Sequence, residues 1–356
     1  MERVKGGSDA LTGFSGLWAA ATLFSLLSNR GWSLAVFHHP ASAQSMVETA
    51  LLGAAILVLA RPSSLLRVTA LSLIQLLDVA VIMPLAPNHR LVLAFGNLLL
   101  LAAIVRIPGA FQGDASARAD VFQRFAPAAN WLTAIVYFFA FFAKLTTEFV
   151  DPATSCAAQF FGHVAEFLPL VPDHDAVVRT IIWGTILFEG ALPFLLLARR
   201  TRRAGVLLGI AFHFCLAFDT SKHFFDFSSV MSALLLLFAD PRVLATFAVG
   251  EATQGRPRAI ALSPHTAALV LLPACSVTSA ISPLHWTLVV LHFKLIYLTW
   301  LLYGLTLLVG VVRTQYRYSG QAQTIGVPKQ LLPLAILCAA VLNGFSPYLG
   351  IKTRTG

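Results

Sequence analysis

Apolar runs of about 17 to 25 residues recur along this 356-residue chain almost without interruption, and that recurrence limits what it can fold into. The length suits a helix crossing the hydrocarbon of a bilayer and is roughly twice what a tilted membrane strand needs. Hydrocarbon offers no water to exposed peptide groups, so runs of this kind must be helical. They fall at 12–27, 44–60, 64–86, 90–107, 129–150, 177–198, 204–220, 225–239, 266–281, 286–312 and 330–349. The first and eighth are short, which leaves a re-entrant or interfacial placement open for both. Only 12% of the residues are charged, against roughly 25% in an ordinary soluble domain, and 57% are hydrophobic. The expectation is an all-α polytopic transmembrane helix bundle of about nine to eleven spans. No linker is long enough to divide it, so residues 1–356 read as a single membrane domain.

The net charge of +9 raises the question of nucleic acid, but the basic residues sit in short clusters beside the apolar runs. Alternate connections collect roughly 17 of the 25 Lys and Arg, which is the bias that fixes orientation in a membrane. It predicts the N-terminus inside, a multi-pass membrane protein, and no nucleic-acid partner. Residues 1–10 are polar and no cleavable signal peptide is expected. The four cysteines, Cys156, Cys215, Cys275 and Cys338, show no CxxC or metal spacing, and three lie in apolar runs where a small buried hydrophobe is the default. The acidic connection 151–176, with His163 and His174, reads as a partly ordered loop whose spacing is too loose for a metal motif. The segment 250–264 reads as an exposed turn.

Against this apolar background the ionisable residues stand out. Lys144 lies near the end of the run WLTAIVYFFAFFAKLTTEFVDP, where a lysine costs roughly 2.5 to 3.5 kcal/mol on insertion scales. Glu148, four residues on along a continuous helix, is the first partner to consider. Asp78, Asn88, His89, Glu189, His213, Asp219, Lys222, His223, Asp226, His292 and Lys294 complete the set. With the N-terminus inside, most of them fall toward the outer leaflet, which predicts a polar cavity opening outward. Asp78 would pair Lys144 or Lys294. Glu189 precedes Gly190 and Pro193, where a helix can kink. Two readings stand for Lys144: a structural ion pair with a snorkelling stem, or a desolvated base. His213 likewise reads either as a hydrogen-bonded core histidine or as a relay.

The stretch YFFAFFAKLTTEFVDP, followed by AFHFCLAFDTSKHFFDFSSVMSALLLLFADP, resembles the core of the vitamin K-dependent gamma-carboxylase superfamily, also called the horizontally transferred transmembrane (HTTM) domain. The Asn-His of PNHRL is similar to the Asn-His ahead of a membrane helix in that family, and the C-terminal NGFSPYLG resembles a segment of its bacterial members. The likeness spans roughly 12–245, with additional C-terminal spans over 266–349. It implies Lys144 as the base acting on a reduced quinone of the vitamin K or menaquinone type, supported by Asn88 and His89, with His213 at the position of the family's histidine. This chain has Ala143-Lys144 where the carboxylase has two lysines, and it lacks the large lumenal region that positions a glutamate substrate. What the likeness implies is therefore lysine-base chemistry on a lipophilic small molecule or membrane lipid. Lys144, Glu148 and His213 would be catalytic; Asn88, His89, Asp78, Glu189, Asp219 and His223 would orient substrate or relay protons. The rival classes are a transporter or channel with a proton or ion path, and a non-catalytic membrane partner whose polar cluster holds helices together.

Overall fold

The computed structural model describes residues 2–28, 42–167, 174–219, 224–248, 271, 286–317 and 325–348, and among these all regular structure is helical. In chain order the helices are α1 (Glu2–Ser28), α2 (Ala43–Ala60), α3 (Leu65–Ile82), α4 (Asn88–Ile104), α5 (Ala115–Ala143), α6 (Thr147–Val150) and α7 (Cys156–Phe167). They continue with α8 (Asp175–Leu197), α9 (Arg202–Leu216), α10 (Phe225–Leu236), α11 (Pro241–Ala245), α12 (Trp286–Arg317) and α13 (Leu331–Phe345). Five stretches are long and apolar enough to cross a membrane: α2, α3, α5, α8 and Leu295–Gln315 within α12. Their outward faces carry large apolar side chains such as Leu66, Leu187 and Phe194, the last 72% exposed. Such a surface suits hydrocarbon and not water. The run 266–281 and the turn 250–264 lie outside the described residues, apart from Leu271.

The first run is neither short nor peripheral. α1 is 27 residues long and packs against α2, α5, α10 and α11, with Leu11, Phe14, Leu17, Trp18, Leu23 and Phe24 all buried. α1 contains several Ser, Thr and Gly, and a helix enclosed by other helices can carry them. Thr12, Ser15 and Thr22 return their hydroxyls to the carbonyls of Ser8, Leu11 and Trp18 at 2.8–3.0 Å, so no polar atom of theirs is left to lipid. Trp18 Nε1 reaches outward to Asn97 Oδ1 on α4 (2.9 Å) and Gln75 Oε1 on α3 (3.1 Å), and Gln75 Nε2 donates to Thr22 Oγ1. This network ties three helices through groups that hydrocarbon could not satisfy.

Two other elements depart from expectation. The connection 151–176 contains the amphipathic α7, whose His163 Nδ1 meets buried Asp219 Oδ2 at 2.8 Å, so the segment is anchored and not a simple loop. Cys215 and Cys338 face outward instead of being buried, an arrangement that costs nothing where the surroundings are apolar. Cys275 lies outside the described residues.

Glycines on α1 report how tightly its neighbours approach. A Cβ on Gly13 would sit 2.0 Å from the Leu244 carbonyl oxygen of α11, whereas one on Gly16 would meet nothing within 4 Å. Gly13→Ala is expected to cost about 1–3 kcal/mol by driving α11 away, while Gly16→Ala gains up to about 1 kcal/mol in helix propensity. Thermal unfolding of the two variants in detergent checks this, and melting shifts of opposite sign are the expected result.

Candidate functional site

The site begins where α5 ends. The last turn tightens, with Leu145 N donating to Phe142 O, and Thr146 then adopts an extended backbone and caps α6 by accepting from Phe149 N at 3.3 Å. Lys144 is thus the C-cap of α5, where the exposed carbonyls favour a cation, and its Nζ donates to Ala140 O at 3.4 Å. The break overturns the geometry expected for Glu148: it belongs to the next helix and not to the following turn of α5. Lys144 instead meets Glu189 of α8, with Nζ and Oε2 2.5 Å apart. The approach is off hydrogen-bond alignment, so the attraction is that of an ion pair. Phe149 adds a ring face 5.5 Å from Nζ.

Glu189 is held there by the residues that follow it. Gly190 lets α8 come so close to α5 that a Cβ would lie 2.8 Å from the Phe141 ring. Pro193 has no N–H to return to the Glu189 carbonyl, which loosens the helix at that turn. Lys144 and Glu189 have side chains only 21% and 8% exposed, so each depends on the other for compensation.

A second pair forms at the start of α4. His89 Nε2 meets Asp226 Oδ2 of α10 at 2.8 Å, and Asp226 Oδ1 accepts from Phe227 N at 2.6 Å. Next in sequence, Arg90 Nη1 meets Asp78 Oδ2 of α3 at 2.8 Å. Asp78 is therefore committed to Arg90 and does not pair Lys144, because the α3–α4 connection folds the first turn of α4 back over the end of α3.

These elements enclose a cavity of about 420 Å³, within the usual size range of small-molecule sites. Asn88, His89 and Lys144 line it together with apolar side chains including Leu91, Phe95, Leu132, Val136, Phe139 and Phe227. Sequence reasoning did not assign Cys156, Asn343 and Tyr348 to the site, and they also line it. The C-terminal segment supplies the last two, and the NGFSPY stretch was the signal for them. Asp226 was read only as one of the ionisable residues toward the outer leaflet, and its partnership with His89 needed the fold.

The other expected site residues lie elsewhere. His213 is fully buried behind the cavity, its Nε2 2.7 Å from the Tyr137 hydroxyl, and Phe212 and Phe227 present edge-to-face rings to it. Asp219 is bound to His163 away from the cavity lining. Lys222 and His223 lie outside the described residues, as do the side chains of His292 and Lys294. Among the described residues, no three His, Cys, Asp or Glu side chains are grouped to hold a metal ion.

The Lys144–Glu189 pair can be tested directly. Lys144→Met or Glu189→Leu alone strands a charge and should cost about 3–5 kcal/mol, while the double variant should recover most of that loss. Unfolding of the three variants in detergent provides the cycle, and additive losses would show that the two groups do not interact. Comparison of the chain with known protein families, characterised proteins and solved structures returns no match.

Proposed function

We propose that this is a multi-pass inner-membrane protein of about nine to eleven spans, N-terminus inside, that carries out lysine-base chemistry in a cavity open toward the outer leaflet. Its substrate is a lipophilic small molecule of the reduced-quinone type, the chemistry that the resemblance to gamma-carboxylase-like HTTM proteins implies. The observation that carries this reading is convergence: Asn88 and His89 at the start of α4 and Lys144 at the end of α5, three of the four residues singled out by the resemblance, line one cavity.

The residues fit such a ligand. Apolar walls suit a ring and a prenyl tail, and Asn88, His89 and Lys144 on the lining offer polar partners of the kind ring oxygens need. Lys144 faces the cavity while Glu189 backs it, so the two act as one proton-accepting unit. Lys144 passes its proton to the Glu189 carboxylate and takes the proton of a ring hydroxyl, breaking that O–H bond and leaving ammonium beside carboxylic acid. His89, fixed by Asp226, orients the other end of the ligand. A reduced quinone, once deprotonated, supplies a ring that reacts with oxygen.

A second reading has an observation of its own. The pairs Lys144–Glu189, Arg90–Asp78 and His89–Asp226 each bridge two helices, as groups that only hold a bundle together would. One assay separates the two. Purified protein is incubated with a reduced menaquinone, oxygen and carbon dioxide, and quinone epoxide is measured for wild type and Lys144→Met. The expected result is epoxide from wild type and a loss of about 10²- to 10⁴-fold in the variant. Equal yields from the two proteins would remove the base role from Lys144, and no epoxide from either would favour the bundle-holding reading.

A further inference from the structure

The C-terminal segment Asn343 to Tyr348 forms one wall of the cavity, and nothing in the proton chemistry above uses it. Its placement is rigid. Gly344 brings α13 so close to α5 that a Cβ would lie 2.5 Å from the Phe139 ring. Phe345 packs edge-on to Phe139 at 4.9 Å and Tyr348 edge-on to Phe142 at 5.1 Å. The Asn343 carbonyl is occupied, accepting from Ser346 N at 3.2 Å and Ser346 Oγ at 2.7 Å. Asn343 is among the residues that line the cavity, and its side-chain amide takes no partner among the described residues. An amide has two donors and an acceptor, and one held rigidly beside apolar walls without a partner is left to bond whatever fills the space.

The charges around the cavity narrow the ligand class. Both lining side chains able to carry positive charge in this part of the site already have a carboxylate at hand, Lys144 at 2.5 Å from Glu189 and His89 at 2.8 Å from Asp226. An anionic headgroup entering here would have to break one of these pairs or remain uncompensated in an apolar surround. We infer that Asn343 is a ligand-binding residue of the cavity, hydrogen-bonding an oxygen of an uncharged lipophilic molecule, and that the site selects such molecules over anionic lipids. This rests on reading the cavity as a substrate site, and it adds the polar contact and the charge selection.

The test is equilibrium binding of radiolabelled short-chain menaquinone and of oleate to the full-length protein in nanodiscs. Wild type should bind the quinone at least about 10-fold more tightly than oleate. Asn343→Leu should weaken quinone binding by about 10-fold, the worth of one hydrogen bond to an otherwise apolar site, with an unchanged melting temperature. If that variant does not fold, Asn343→Ala and the wild-type selectivity decide. Quinone affinity unchanged in a folded variant, or oleate bound as tightly as the quinone, overturns the inference. Binding is measured apart from turnover: Asn343-dependent binding by a protein that makes no epoxide leaves this inference standing while the base reading falls. Epoxide formation with binding indifferent to Asn343 does the reverse.

Discussion

A helix enclosed on every side dictates terms to its neighbours. α1 has no face to give to lipid, so its surface has to be small where another backbone approaches, as at Gly13 against Leu244, and large where gaps are filled, as at Phe14 and Phe24. Thr12, Ser15 and Thr22 return their hydroxyls to the helix's own carbonyls and Trp18 bridges to Gln75 and Asn97, which satisfies these polar atoms internally, while Ser25 Oγ takes no partner among the described residues. α5 and α10 are placed by packing on this axis, and with them Lys144 at one end of α5 and Asp226 at the start of α10. The cavity inherits its shape from a helix that contributes no side chain to its lining.

At the cavity the governing cost is that of burying charge. A lone ion in such surroundings carries a penalty of several kcal/mol, and pairing within hydrogen-bonding distance offsets most of it. Each pair here joins residues from different helices, so compensation and helix placement are the same event. Pairing also bears on the proposed chemistry, since a lysine backed by a carboxylate can exchange protons without the site changing its overall charge by more than one. The departures from helical regularity at Thr146 and Pro193 serve the same arrangement by turning the chain away from Lys144 and by loosening α8 beside Glu189.

Much of the fold was legible because hydrocarbon imposes a length: the runs 44–60, 64–86 and 177–198 correspond closely to α2, α3 and α8. The central position of α1 was not, because lipid and protein interiors are both apolar and hydropathy does not tell them apart. The grouping of Asn88, His89 and Lys144 at one end could be read from the cost of polar residues at membrane depth. Their partners could not. Lys144 looked four residues ahead to Glu148 because continuous helix was assumed, and the capping signal of Thr146 within LTTEF was passed over. Glu189, Asp226 and Asn343 are brought in by tertiary packing, and no local periodicity carries that information.

The central claim is that the space beside Lys144 is a ligand site, and Cys156 on its wall offers a direct probe. Its sulfur is accessible, yet the surrounding protein desolvates the thiol and pushes its pKa up, so labelling belongs at alkaline pH. With Cys215, Cys275 and Cys338 replaced by alanine, the rate of Cys156 alkylation is measured with and without saturating menaquinone. Occupancy of the cavity predicts a rate several-fold slower with the quinone present. An unchanged rate would contradict the account, because a ligand that leaves Cys156 open is not bound beside Lys144.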